Sequence, residues 1–402
     1  MIPVAITGVG VITPLGDTLL SLGEALLAGR SAVVHLPEPD GAMGAPLQDF
    51  EAARYANVRG MRIYSRATRL GICAAQLALA DAGLESHGNR DDRDDKDGKA
   101  LGLVTSFSFA HMETLIEYDR GLITRGTQGT NPALMPLGIP SAPGAVTAIA
   151  LSAHAFSVTL SDGGAGGLDA LGLAARLLAL GRARACVVVS AAAHCAELAL
   201  SAWRSGLLSR EPDFTVFDRA SCGTALGEAG VALVLESVDG ARQRGAKCKG
   251  VVLAQASRFA SQPLQRAQAL GQAARAALAT SGASLADLAL VSAGANGVPE
   301  VDRAEAQALL DFFGEQAPHT PVIAVKAALG ETLEATGLLQ SLVALQSLTS
   351  KQAPPIVGLK APLLPGLDYA TRVRDLRDGP ALVTCTSSTG ACSALLLSTH
   401  DS

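Results

Sequence analysis

Short apolar runs alternate along the chain with stretches whose apolar residues recur at helical spacing, and turn residues separate the two kinds. Residues 2–8, IPVAITG, read as a strand, and VITPLGDTLLSLGEALLAG then turns into a helix with Asp17 or Thr18 as its cap. ATRLGICAAQLALADAGL, residues 67–84, has the period of a long helix stopped at Gly83. The strand ALGLVTSFS follows, and FAHMETLIEYDRGLI reads as a helix. Phe156–Leu160 predicts a short buried strand, and Gly163, Gly164, Gly166 and Gly167 a turn. Leu168, Leu171, Ala174 and Ala175 form the apolar stripe of the next helix. Ala185–His194 is a near-continuous apolar run, as expected of a strand covered on both faces.

From about Cys248 the alternation begins again, with strand GVVLAQAS, helix AQALGQAARAALATSG, strand ALVSAG and a helix around VDRAEAQALLDFFG. Strand PVIAV, helix TGLLQSLVALQSLT and final strands ALVTCTS and SALLLST complete it. Two successive sets predict two α/β halves, residues 1–247 and 248–402, in a duplicated fold.

Composition narrows the function classes. With 402 residues, 49% hydrophobic and 17% charged, the chain can bury a large core, and a net charge of −5 argues against a nucleic-acid partner. No apolar run reaches the ~18–20 residues of a membrane span. The N-terminus lacks the basic start of a signal peptide, so a cytoplasmic protein without membrane contact is expected. Seven cysteines with no CxxC pair read as reduced, mostly buried thiols. The stretch ESHGNRDDRDDKDGKA lacks a calcium-loop register and reads as a solvated loop. GVGVITPLG is not a dinucleotide fingerprint, and His111, His154, His194 and His319 show no metal spacing. No cofactor or metal is expected.

The turn at Gly163–Gly167 is where an α/β enzyme would present a nucleophile, beside the free N–H groups of a helix N-terminus. Its tip carries no cysteine, histidine or lysine. Ser161 and Asp162 beside it read either as a displaced nucleophile and base or, more plainly, as helix caps.

VAITGVGVITPLG, FDRASCGTALGEAGVALVLE, GVPEVDRAEAQAL and PVIAVKAALG, in that order and spanning nearly the whole chain, resemble the β-ketoacyl synthases of the thiolase superfamily. The resemblance implies a thiolase-like duplicated five-layer αβαβα fold, with a cysteine nucleophile at the strand-to-helix turn and two histidines in the second half. Thiolate and imidazoles would take up the acyl group and polarise the malonyl unit as CO₂ leaves. Carried over position by position, the cysteine's place falls at Gly164. The first histidine's place falls at Gly294 in SAGANGVPEVD, and the second's at Glu331, after the matching Lys326 and Gly330. The C-terminal gating loop reads Thr384-Cys385-Thr386-Ser387-Ser388-Thr389-Gly390, without phenylalanine.

These replacements make the chain similar to the chain length factors, the ketosynthase β subunits of type II polyketide synthases. Ala165–Gly172 and Gly297–Ala306 carry that likeness. Many such subunits have glutamine where Gly164 stands. The resemblance implies no catalytic residue of its own, a heterodimer with an active, cysteine-bearing ketosynthase, and an acyl carrier protein bringing the growing chain. Arg204, Arg210, Arg242 and Arg244 are candidate contacts for that acidic carrier. It also places Phe107, Ala110 and Thr114 on one face of a helix over 106–118, with Leu200 as a fourth position, along the tunnel that sets chain length. The readings from other classes are a stand-alone decarboxylase or acyltransferase with a replaced nucleophile, and a homodimeric scaffold. Lys326 paired with Glu331 would fill the space of a missing histidine, and Asp302 and Glu305 would stabilise a helix start.

Overall fold

The computed structural model describes residues 2–58, 60–84 and 101–399; the charged stretch 85–100 lies outside them. Strand β1 (Val4–Ile12) is apolar on both faces and pairs antiparallel on both sides. The further main strands are β2 (Leu101–Ser106), β3 (Phe156–Leu160), β4 (Ala185–Ala192), β5 (Ala229–Ser237) and β6 (Gly250–Phe259). They continue with β7 (Leu290–Ser292), β8 (Pro321–Ile323), β9 (Asp368–Tyr369), β10 (Ala381–Thr386) and β11 (Ala391–Ser398).

All eleven form one sheet in the order β9-β8-β7-β10-β11-β6-β1-β5-β4-β2-β3. The order β3-β2-β4-β5-β1 on one side repeats as β8-β7-β10-β11-β6 on the other, with the first three strands of each set parallel and the last two antiparallel. The sets join through Val4–Ile6 against Gly250–Val252.

The helices used below are α1 (Arg66–Asp81), α2 (Met112–Gly129), α3 (Ala142–Leu151), α4 (Gly166–Ala179), α5 (Ala196–Arg204), α6 (Arg266–Ser281), α7 (Pro299–Phe313) and α8 (Thr336–Ser350). α1 and α3 cover the outer face of one half-sheet, and α6, itself packed on α7, covers the outer face of the other. α4 and α8 lie between, touching strands of both halves. This is the expected five-layer duplicated architecture. α4 and α8 cross where each carries a glycine at the same position. A Cβ on Gly167 would lie 2.9 Å from the Leu338 nitrogen, and one on Gly337 would lie 2.8 Å from the Leu168 nitrogen. Only glycine permits this approach.

Two local expectations need correction. The helix expected over 106–118 starts only at Met112. The Phe107 N–H donates to the Leu160 carbonyl, and the Ser108 and Phe109 N–H groups donate to the Glu334 carboxylate, so those amides are engaged outside a helix. Phe107 and Ala110 therefore precede the helix that carries Thr114 and do not share its face. Ser161 and Asp162 do not cap the following turn; its Gly163 N–H donates to Ser108 Oγ at 3.0 Å. Of the two candidate caps of the first helix, Thr18 holds the Ser21 N–H, while Asp17 accepts from the Tyr55 hydroxyl. Cys73, Cys186, Cys385 and Cys392 are buried, Cys222 and Cys248 are exposed, Cys195 is between, and none of the seven forms a disulfide. Among the described residues no helix is long and apolar enough to cross a membrane, and no cluster of His, Cys, Asp or Glu could hold a metal.

Candidate functional site

Strand β3 delivers the chain to a single 3₁₀ turn, Gly163–Ala165, from which α4 departs at once. Gly163 has φ +61°, a conformation that costs glycine little. The next residue, Gly164, lines a cavity of about 400 Å³ together with Gly163, Asn296, Glu331, Leu198 and Ser387. The loops after β7, after β8 and after β10 thus converge on the turn, and the three positions singled out in the sequence, Gly164, Gly294 and Glu331, belong to one neighbourhood.

What occupies that neighbourhood is a closed polar network backed by a thiol. Lys326, buried at the start of a short helical turn, donates from Nζ to the Gly294 carbonyl at 2.8 Å and to Glu331 Oε2 at 2.7 Å. Glu331 also accepts from Asn296 Nδ2 at 3.1 Å and from Thr336 Oγ1 at 2.8 Å. Burial works to discharge Lys326, and the Glu331 carboxylate bonded to it, together with Glu305 behind, holds its pKa above the usual lysine value. Burial likewise works to raise Glu331, and Lys326 together with the Asn296 and Thr336 hydrogen bonds leaves that pKa below the usual carboxylate value. Both groups are ionised and saturated with partners, so neither is poised as a base.

One shell further in, Glu305 Oε1 accepts from the Gly294 N–H at 2.8 Å and from Thr384 Oγ1 at 2.6 Å. Asp302 gathers the N–H groups of Phe217, Asn296 and Gly297. Both carboxylates therefore tie loops to α7, and Asp302 does so from the helix's first turn, holding the chain that leads into it. Burial pushes Glu305 up to about 7 and Asp302 up to about 6.

Cys385 was not singled out by its sequence, and it fills the centre. Its Sγ donates to the Gly164 carbonyl at 3.2 Å. A Cβ on Gly164 would lie 3.6 Å from that sulfur, and one on Gly294 would lie 3.5 Å from it. Burial pushes the Cys385 thiol up to about 12, so it is protonated and a poor nucleophile at neutral pH. The thiol on the cavity wall, Cys195, is directed to Glu197 Oε2 at 3.5 Å, and burial raises its pKa too. Ser161 is exposed, and no hydrogen bond among the described residues joins it to a base.

The tunnel candidates separate into two groups. Phe107, fully buried, and Ala110 belong to one apolar cluster with Leu70, Ile72 and Cys73, and Thr114 is buried in the first turn of α2. Leu200 lies on α5, 38% exposed. Of the basic candidates, Arg204 ends α5 and Arg210 lies over the Trp203 ring at 4.1 Å. Arg244 is held by Glu236 at 2.6 Å, and Arg242 lies in the short helix preceding it. His194 lines the cavity, and its N–H donates to Glu228.

Two matching half-sheets around a pair of central helices, with a strand-to-helix turn at the head of each, define a thiolase-like condensing-enzyme fold, here with glycine at the turn. The model of the β-ketoacyl synthase N-terminal domain matches residues 1–241, and that of the C-terminal domain matches residues 246–360. The ketoacyl synthase β subunit of the tetracenomycin polyketide synthase from Streptomyces glaucescens is 32% identical, over 99% of this chain and 98% of its own length. A 3-oxoacyl-acyl-carrier-protein synthase 2 from Synechocystis is 25% identical over 89% of this chain and 88% of its own. The fold is shared with the ishigamide ketosynthase/chain length factor, at a TM-score of 0.89 and 24% identity over 99% of both chains. It is also shared with a type II polyketide ketosynthase solved with its acyl carrier protein, at a TM-score of 0.86 and 22% identity over 99% of both. The chain belongs to the β-ketoacyl synthase family, in the branch of the type II polyketide ketosynthase β subunits, or chain length factors.

Proposed function

We propose that the chain is a non-condensing ketosynthase β subunit that pairs with an active, cysteine-bearing ketosynthase, shapes the tunnel that limits polyketide or polyene chain length, and works in the cytoplasm with an acyl carrier protein. On this reading residues 1–247 and 248–402 are two synthase-like halves. Gly164, Gly294 and Glu331 stand where the condensing residues would be, and Phe107, Ala110, Thr114 and Leu200 face the tunnel.

The observation that carries the reading is the packing around Gly164. The position has no side chain, the Cys385 sulfur sits beside it, and the carboxylate and ammonium nearby are neutralised by each other. Condensation needs an activated nucleophile within reach of a base, and this arrangement supplies neither. The partner is supported by a structural neighbour, the ishigamide ketosynthase/chain length factor, whose name joins the two kinds of subunit. The outermost strand of one sheet edge, β3, pairs among the described residues with β2 alone and is half-exposed, with Ile149 of the neighbouring α3 76% exposed. An edge strand of this kind is a template for pairing with another chain.

The experiment is expression of the chain alone and together with a cysteine-bearing type II ketosynthase, followed by measurement of oligomeric state and of malonyl-carrier turnover. The expected result is a one-to-one complex with turnover confined to it. Turnover by the chain alone, abolished by Ser161→Ala or Asp162→Ala, would establish a stand-alone decarboxylase or acyltransferase instead. A stable homodimer that ignores the synthase would establish a scaffold.

A further inference from the structure

The duplication gives the emptied turn a counterpart. Leu333, with φ +46°, corresponds to Gly163 with φ +61°, and each opens a single 3₁₀ turn leading directly into a central helix. Position 334 is therefore the mate of position 164, and it carries a glutamate where the other turn carries nothing.

Glu334 is fully buried, and its side chain crosses to the other half. Its Oε1 accepts the N–H groups of Ser108 and Phe109, each at 3.0 Å, and the Ala110 amide faces it as well. Ser108 stands just beyond the end of β2, as Gly294 stands just beyond the end of β7. The contact is thus the mirror, in the duplicated fold, of the one a side chain at 164 would make to 294. Its Oε2 is buried and has no hydrogen-bond partner among the described residues, so the amides of 108–110 are what the structure offers this carboxyl group. Burial pushes its pKa up to about 7, a cost the fold tolerates for this placement.

The amides it holds lie in the turn that leads from β2 into α2. Glu334 pins the turn between β2 and α2, and Phe107 follows β2 into place beneath α1, where a Cβ on Gly71 would lie 3.1 Å from its ring. We infer that Glu334 is a positioning residue for chain-length selection: from the C-terminal half it fixes the backbone of residues 108–110, and thereby the placement of Phe107 and Ala110 along the tunnel. The inference rests on the reading of those two residues as tunnel residues.

The test measures product lengths made by the heterodimer carrying Glu334→Ala, Glu334→Gln or Ala110→Phe. Glu334→Ala is expected to raise the ratio of off-length to main product about tenfold, equivalent to ~1.4 kcal/mol of selectivity. Glu334→Gln, whose amide oxygen still accepts both N–H groups, is expected to keep the wild-type ratio. Hydrogen exchange over residues 107–111 in the complex is expected to speed up in the alanine variant only. An unchanged ratio in Glu334→Ala, with Ala110→Phe shortening the product, would overturn the inference and leave the tunnel reading standing. No change in either variant would overturn both. Should Glu334→Ala fail to assemble, Glu334→Asp carries the same test, because its carboxylate is withdrawn by one methylene: a shifted ratio supports the inference and an unshifted one overturns it.

Discussion

The Cys385 sulfur donates to the Gly164 carbonyl at 3.2 Å, so the thiol nearest the emptied turn is bonded to the turn's own backbone. A cysteine placed at 164 would bring its Cβ within 3.2 Å of the Thr386 carbonyl and 3.6 Å of that sulfur. Gly164→Cys alone is therefore expected to destabilise the chain by ~1–3 kcal/mol through overpacking. It is expected to take up no acyl group from an acyl carrier thioester, read by mass spectrometry of the intact protein. Adding Cys385→Gly should recover little of the lost stability, since the Thr386 carbonyl stays in place and glycine enters the interior of β10, and should create no activity, since Lys326 and Glu331 remain locked on each other. Acylation of the single variant would contradict this account.

The Lys326–Glu331 pair gives a second expectation. Its side chains are 2% and 12% exposed, so removing one partner strands a buried charge. Glu331→Ala should cost ~3–5 kcal/mol in urea unfolding. Replacing both, as Lys326→Met with Glu331→Leu, should cost clearly less than either single change, because the remaining partners of the network are neutral groups. Additive losses in the double variant would show that the pair is not the organising element of this loop.

How much of this was legible in sequence depends on how local the causes are. The strand Phe156–Leu160, the glycine turn and the helix after it follow from periodicity and turn chemistry, and the structure has them at those positions. The repeated order of strands and helices foretold the two matching half-sheets. The start of α2 could not be read, because the turn before it is pinned by a carboxylate that lies 226 residues further along the chain. The same holds for Cys385, whose meaning lies in two glycines that are distant in sequence and only a Cβ away in space. Asp302 and Glu305 look like helix-start acids in sequence, and they do hold the loop that leads into α7, at Gly294, Asn296 and Gly297; what sequence could not show is that they also reach Phe217 and Thr384, which α7 meets only in the fold.

Those acids set an expected pH dependence. Burial raises the folded pKa of Asp302 to about 6 and those of Glu305 and Glu334 to about 7, above their values in an unfolded chain. A raised carboxyl pKa means that the folded state binds more protons, so stability falls as pH rises. The contribution of these groups is complete below their ordinary values near ~4 and is lost as pH climbs through 6 to 7. Glu331 works in the opposite sense, its pKa being depressed, but its loss belongs to lower pH. The midpoint of thermal unfolding should drop between pH 5.5 and 8, and Glu334→Gln should flatten the drop. A midpoint that rises across that interval would refute the assignment.

The tunnel assignment is testable at residues whose neighbours are known. Ala110 is 4% exposed in the cluster with Phe107, and its carbonyl accepts from Ser65 Oγ at 2.6 Å, so its backbone is fixed and a larger side chain must project into whatever space adjoins it. Thr114 is 5% exposed in the first turn of α2, which neither Glu334 nor Ser65 holds. Ala110→Phe or Thr114→Phe should therefore shorten the polyketide made with the partner synthase by at least one extension unit, read by mass spectrometry of the released products. Some loss of stability, ~1–3 kcal/mol, is expected from overpacking. The two causes separate on the heterodimer itself: a complex that forms normally yet makes shorter product has a narrowed tunnel. A complex that forms normally and makes the wild-type length would assign residues 110 and 114 to the core alone.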